Sequence, residues 1–269
     1  MGLPDEVKSI KQRQTHEVFV ELDELEVHDN HLIWKERARW IKFEEDVEDN
    51  DRWSKPHIAS LSFLALWEVR KGMEKGLVLL DCESFTLPGV AGDVVSAMAQ
   101  EDLIRDEDRL PIMNALLLKH ESDRQESDWT HLLSSAVHKP IDELHLDHEI
   151  EQEKVLFDEE ELKTASKAHS KTHFFEKRLG SMKKPKIMNR IPDDAEASIV
   201  LVGKMNFLKQ PVMAFVRLSE AREMGEVVSV PLPVRFIFIL LGPEDSSMDY
   251  HEIGRAISTL MSNTDFHTQ

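Results

Sequence analysis

The sequence predicts an α/β fold: a central mixed sheet flanked by helices and interrupted by a charged linker. Three observations carry that expectation. Apolar runs of strand length, "ASIVLVGKMNF", "PVMAFVRL" and "VPLPVRFIFILLGP", crowd the C-terminal third, and near-continuous hydrophobicity marks a strand covered on both faces. In the first half, stretches of helical period alternate with strand-like ones, as in a sheet flanked by helices. Between the halves, "DELHLDHEIEQEKVLFDEEE" is strongly acidic and "KTASKAHSKTHFFEKRLGSMKKPK" strongly basic. Neither has the sustained apolar face a packed element needs.

Each element follows from a local pattern. "HEVFVELDEL" has period two, with Val18 and Val20 on one side and Phe19, Glu21 and Asp23 on the other. "WKERARWIKFEEDVED" has no decisive period. Leu66, Val69 and Met73 recur at helical spacing, and Gly76 stands where a helix C-cap does. "LVLLDC" reads as a short buried strand, with Cys82 a small buried hydrophobe at its end. Thr86 and Pro88 open a second helix with Val90, Val94 and Ala97 on one face. A third covers roughly residues 108–119, with Leu110, Met113 and Leu117 aligned. One domain over 1–269 is expected, its body 16–120 and 187–269 and its flexible charged linker 121–186. Near the end, Asp249 precedes Glu252 at capping-box spacing, and Ile253, Ile257 and Leu260 then share a helix face.

Composition narrows the function. A net charge of −18 argues against nucleic acid or a membrane surface as partner, since both are negative. Cys82 is the only cysteine, so no intrachain disulfide is possible and a reducing compartment is expected. The N-terminus lacks a signal h-region, and the longest apolar run, Phe236–Leu241, falls far short of the ~20 residues that span a bilayer. The chain reads as soluble.

Candidate chemistry is sparse. His251, in the first turn of the last helix, is placed where a neutral nucleophilic imidazole is favoured, but "HEIGR" does not complete a zincin motif. His145 with His148, and His169 with His173, have spacings that suit a metal, yet lie in the charged zone with nothing to anchor a second shell. No nucleophile elbow, Walker loop or dinucleotide fingerprint is present. The expectation is a protein that is not an enzyme, with no cofactor and no metal.

Several long motifs add a resemblance. "ERARWIKFEEDVEDNDRWSKPHIASLSF", "HEVFVELDEL", "GLVLLDCESFTLPGVAGDVV", "EASIVLVGKMNFLKQPVMAFVRL" and "VPLPVRFIFILLGP" with "MDYHEIGRAISTLMS" occur in the order found in the anion exchangers. The chain resembles the cytoplasmic domain of that band 3 group, the chloride/bicarbonate exchangers. The resemblance implies an α/β domain similar to the mannitol-type phosphotransferase subunit, with "WKERARWIKFEEDVED" as extended chain. It implies a regulatory domain at the cytoplasmic face of the plasma membrane, acting on inorganic anion transport and intracellular pH. Arg39, Trp40, Lys42, Glu44 and Glu45 carry the motif linked to pH-dependent regulation.

The partners implied are the family's transmembrane transport domain, absent from this chain, and cytoskeletal or cytosolic proteins. The acidic tail that recruits haemoglobin and glycolytic enzymes in the red-cell member has no counterpart in "MGLPDEVKSIKQRQ", and the ankyrin zone falls in the divergent linker. The sequence stops before the family's dimerisation arm, so weak or no homodimerisation is expected. Two rival readings are a phosphocarrier using His251 and a free-standing soluble adaptor. Within the motif, Arg37, Arg39 and Lys42 interleave with Glu36, Glu44, Glu45 and Asp46. Such a network responds near neutral pH only through a shifted acid or a histidine. His57, just beyond it, is the candidate pH sensor, within reach of Glu44 or Glu45 after a turn at Pro56.

Overall fold

The computed structural model describes residues 18–29, 31–48, 52–121 and 186–263. The zone expected to be a linker, with its two histidine pairs, lies almost wholly outside the described residues. Alternating apolar residues open β1 (Val18–His28), which pairs antiparallel with β2 (His31–Ile41). Lys42 alone separates β2 from β3 (Phe43–Asp46), and its φ of 72° makes the tight reversal. The stretch without a decisive period is therefore two strands, as the resemblance implied. Helix α1 (Phe63–Lys75) leads into β4 (Leu77–Cys82), α2 (Leu87–Gln100), α3 (Arg109–Leu116) and the two-residue β5 (His120–Glu121). After the undescribed zone come β6 (Glu196–Lys204), β7 (Val212–Arg222), β8 (Val234–Gly242) and α4 (Tyr250–Met261).

These strands form one eight-stranded sheet in the order β3-β2-β1-β6-β8-β7-β4, with β5 also on β2. The sheet is mixed: β6 lies parallel to β1 and β8, whereas β7 runs antiparallel to β8. Helices cover both faces. Val90, Val94 and Met98 of α2 and Ile112 of α3 pack over one face with Phe19, Trp34 and Ile199. Val69 of α1 and Ile253 and Ile257 of α4 pack over the other with Val20, Leu22 and Trp40. The central strands β6 and β8 are buried on both sides, which is why their sequences are continuously apolar. Close approach needs small residues here. A Cβ at Gly254 would stand 2.7 Å from Leu22 Cδ1, so only glycine lets α4 sit this low on the sheet.

Helix starts match their patterns. The Thr86 hydroxyl accepts from the Gly89 amide at 3.3 Å, and Asp249 accepts from the Glu252 amide at 3.1 Å. Glu252 does not make the returning half of the capping box; its carboxylate takes a hydrogen bond from Arg255 instead. Two other expectations change. "LVLLDC" is a strand but, among the described residues, an edge one that pairs with β7 alone, with Val78 and Leu80 exposed and Cys82 half-buried. Leu110 is also exposed, because Ile112, Ala115 and Leu116 form the inward face of α3. Met113 and Leu117 of the expected face still pack against that core.

Candidate functional site

Successive side chains on a strand point to opposite faces, and β3 uses this to part Glu44 from Glu45. Glu44 enters the α1/α4 layer, where its side chain is 0% exposed. Arg255 of α4 grips it with two parallel bonds, Nε to Oε1 at 2.5 Å and Nη2 to Oε2 at 3.0 Å. The same guanidinium also donates to Glu252 at 2.6 Å. These bonds, Glu44's first, raise the Arg255 pKa, so the cation is permanent. Glu45 enters the opposite layer, accepting from Arg39 Nε and Nη2 at 3.0 Å each and from Arg190. Burial alone raises a carboxyl pKa, but the hydrogen bonds from Arg190 and Arg39 outweigh it and hold Glu45 below its ordinary range.

The other motif residues frame this clasp. Arg39 stacks on Trp53, its Cζ 3.7 Å from the ring centroid. Trp40 is buried in the α1/α4 layer, and Lys42 is an exposed residue at the reversal. His57 joins β3 through paired backbone bonds with Glu44, at 2.9 and 3.0 Å. Its Nε2 lies 3.7 Å from Glu44 Oε2 and its Nδ1 4.0 Å from Asp46 Oδ1, with the ring partly open to solvent. So the structure brings Arg39, Trp40, Glu44, Glu45 and His57 into one neighbourhood. His251 is elsewhere on α4, its Nδ1 3.3 Å from a Glu24 oxygen. Cys82 lies 3.5 Å from Asp93, and burial, with Asp93 adding, pushes its thiol up. Among the described residues no group of His, Cys, Asp and Glu could hold a metal ion.

A second group was not singled out from the sequence. Glu21, Asp23 and Glu36 are all buried on the α2/α3 side. The Leu22/Asp23 register shift lets Arg37 bulge, so Asp23 faces Glu36 while Glu21 faces Arg39. Ser229 donates its amide and hydroxyl to Glu21, and its hydroxyl lies 3.3 Å from Glu36. Asp23 meets His120 Nδ1 at 2.7 Å. Burial pushes Asp23 well up, and burial, then Glu21 and Asp23, does the same to Glu36. One signal was visible: the alternation of β1 already put Glu21 and Asp23 on the side of Phe19. What buries them comes from positions 120 and 229, which no local pattern connects.

Comparison with known proteins identifies the family. The family model described as "Band 3 cytoplasmic domain" matches residues 16–269. The chain is 45% identical to anion exchange protein 3 of Danio rerio over 280 residues, covering 97% of this chain and 24% of that protein. It is 46% identical to anion exchange protein 2 of Homo sapiens over 279 residues, 94% of this chain and 21% of that protein. For anion exchange protein 2 of Rattus norvegicus the identity is 45%, over 94% of this chain and 22% of the relative. The chain therefore spans less than a quarter of the length of these relatives. Among the described residues no helix is long and apolar enough to cross a membrane.

Proposed function

The chain belongs to the band 3 cytoplasmic domain family, and on that footing we propose that it is a regulatory domain at the cytosolic face of a chloride/bicarbonate anion exchanger. It acts on a membrane-spanning part of the same transporter, setting anion exchange against intracellular pH. The observation that carries this reading is the double clasp at β3. Neighbouring glutamates on one edge strand take arginines from far along the chain, Arg255 for Glu44 and Arg190 for Glu45. A displacement of β3 is thereby felt in both layers, and first by α4. Arg39, Trp40 and Lys42 complete the element: Arg39 shares Glu45, Trp40 anchors β2 in the core, and Lys42 turns the chain between the strands.

His57 is the proposed sensor of this element. The charged groups around it are Glu44 and Asp46 on β3, then Arg255 and Glu252 behind Glu44. A protonated imidazole is attracted to both β3 carboxylates, and the attraction disappears when the ring loses its proton as pH rises. β3 then loosens, and exchange increases in alkaline cytosol. The test compares exchange against intracellular pH in a transporter carrying this chain, the His57→Gln variant, and a transporter without the domain. The expected result is a pH midpoint that moves with His57→Gln. An unmoved midpoint rejects His57, and identical curves with and without the domain reject the regulatory reading. Self-association is opposed by the charge of −18, so the chain alone is expected to sediment as a monomer at low salt.

A further inference from the structure

Helix α1 turns its small residues to the sheet and its large apolar ones to solvent. Ala65 and Val69 are buried, and a Cβ at Gly72 would overlap the Met213 side chain of β7. Phe63, Leu64 and Trp67 are 81%, 66% and 53% exposed. Side chains three and four positions apart on a helix are surface neighbours, so these three form one continuous patch over the first two turns. Apolar residues exposed singly are ordinary, but a clustered Phe, Leu and Trp marks an interaction surface. The following turns of the same exposed side are charged, with Arg70, Lys71, Glu74 and Lys75 all open to solvent.

We infer that this side of α1 is a docking surface for an anionic lipid bilayer. Phe63, Leu64 and Trp67 enter the headgroup boundary, and Arg70, Lys71 and Lys75 meet lipid phosphates. Residue type is the first reason for that occupant. Trp and Phe beside Lys and Arg suit a bilayer interface, where rings sit at headgroup depth and long cationic side chains reach outward. Two apolar turns are far short of the ~20 residues that span, so the contact is shallow. Charge complementarity is the second reason. From Arg52 to Lys75 the chain carries five cations, Arg52, Lys55, Arg70, Lys71 and Lys75, against two acids, Glu68 and Glu74. In a chain of net charge −18, this stretch is locally basic.

The two acids do not tie the cations down. Glu74 meets Arg70 at 3.0 Å and Glu68 meets Lys71 at 3.3 Å, but the Arg70 and Lys71 side chains are 75% and 50% exposed. Exposed pairs at helical spacing contribute little, so either cation can turn to a phosphate. The charge of −18 opposes an anionic surface only over the distance at which it is felt. That distance is about 8 Å at physiological salt, so the α1 side and not the rest of the domain sets the interaction. A second copy fits the patch less well, because a two-fold contact would bring like cations together. α1 shares its layer with α4, whose Arg255 holds Glu44, so a bilayer bound here touches the layer of the clasp. The inference goes beyond the regulatory reading and does not rest on it.

Co-sedimentation of the full 269-residue chain with vesicles tests it. Phosphatidylcholine vesicles are compared with vesicles containing about a third phosphatidylserine, at about 0.15 M salt. Capture by the anionic vesicles should exceed capture by the neutral ones at least about fivefold. Phe63→Ser with Trp67→Ser should lower capture at least about tenfold, and Arg70→Gln with Lys71→Gln about fivefold. All four side chains are exposed, so thermal unfolding of these variants should match the wild type. Insertion gives a second readout that needs none of them. Brominated lipid should quench Trp67 fluorescence, read as the difference between the wild type and Trp67→Phe, since Trp34 and Trp40 are buried. No capture, capture indifferent to lipid charge and to all four substitutions, or an unquenched Trp67 overturns the proposal. A dimer that Trp67→Ser abolishes, with no vesicle binding, assigns the patch to a second copy and overturns it too. His57→Gln should leave capture unchanged, which separates this test from the transport test.

Discussion

Two groups of buried carboxylates lie on the neighbouring strands β1, β2 and β3, and the fold treats their charge in opposite ways. Glu44 and Glu45 each receive a guanidinium from a distant segment, so each buried carboxylate has a counter-charge. Asp23 and Glu36 meet a histidine, a serine and an arginine already engaged by another acid. Each pair has two acids, but among the described residues Glu44 and Glu45 have the arginines. Compensated carboxylates act as fasteners across a wide pH range; undercompensated ones hold protons and respond when pH rises. The comparison therefore divides the motif region into a part that transmits and a part that titrates.

The largest effect should come from breaking a fastener. Arg255→Leu leaves Glu44 buried without its partner, and the expected loss is about 3–5 kcal/mol in a urea titration at neutral pH. A loss under about 1 kcal/mol would mean that water reaches Glu44 and the clasp is ordinary surface pairing. On the other side of the comparison, Glu36→Gln should stabilise the chain in alkaline solution. A raised folded pKa gives stability that is present at low pH and lost as pH rises, so the wild type declines on the alkaline limb. The variant should decline less, with a gain of about 1 kcal/mol by roughly pH 8. Equal slopes for the two proteins would remove Glu36 from the titrating group.

Arg190→Gln tests the acid limb. Glu45 is held below its ordinary range, so its contribution is present above the unfolded pKa and is lost as pH falls through the lower folded value. Arg190 is partly exposed, which limits the expected loss to about 1 kcal/mol at neutral pH. Because the variant has less to lose, its stability should fall less steeply in acid than that of the wild type. The smallest effect is at the reversal between the strands. Lys42 holds a positive φ that glycine adopts without strain, so Lys42→Gly should gain a few tenths to about 1 kcal/mol. Thermal unfolding with no upward shift would show that the turn is not strained.

Much of the architecture was legible because its signals are local. The unbroken apolar runs of β6 and β8 report burial on both faces, and the caps at Thr86 and Asp249 need only their own helix. What sequence could not report was where the sheet ends. Val78 and Leu80 look like core residues until β4 is seen to be an edge. Leu110 looks as fit for the core as Ile112 until α2 chooses a side. For the site, the resemblance supplied Arg39, Trp40, Lys42, Glu44 and Glu45, and strand alternation explains why two neighbouring glutamates part company. Their arginines lie at positions 190 and 255, and the buried acids meet His120 and Ser229. Those pairings depend on strand order, which no window of sequence contains.

The most direct measurement is site-resolved titration of the carboxyl groups themselves. Side-chain ¹³C shifts of Asp23, Glu36 and Glu45 in the full chain, followed from about pH 3 to about pH 9, report each proton separately. Glu45 should ionise first, below the usual carboxylate range, and Asp23 and Glu36 should keep protons well above it. If all three ionise together near pH ~4, the buried group is solvated and the division between fasteners and proton holders fails. If Glu45 ionises after Glu36, the assignment of the two roles is reversed.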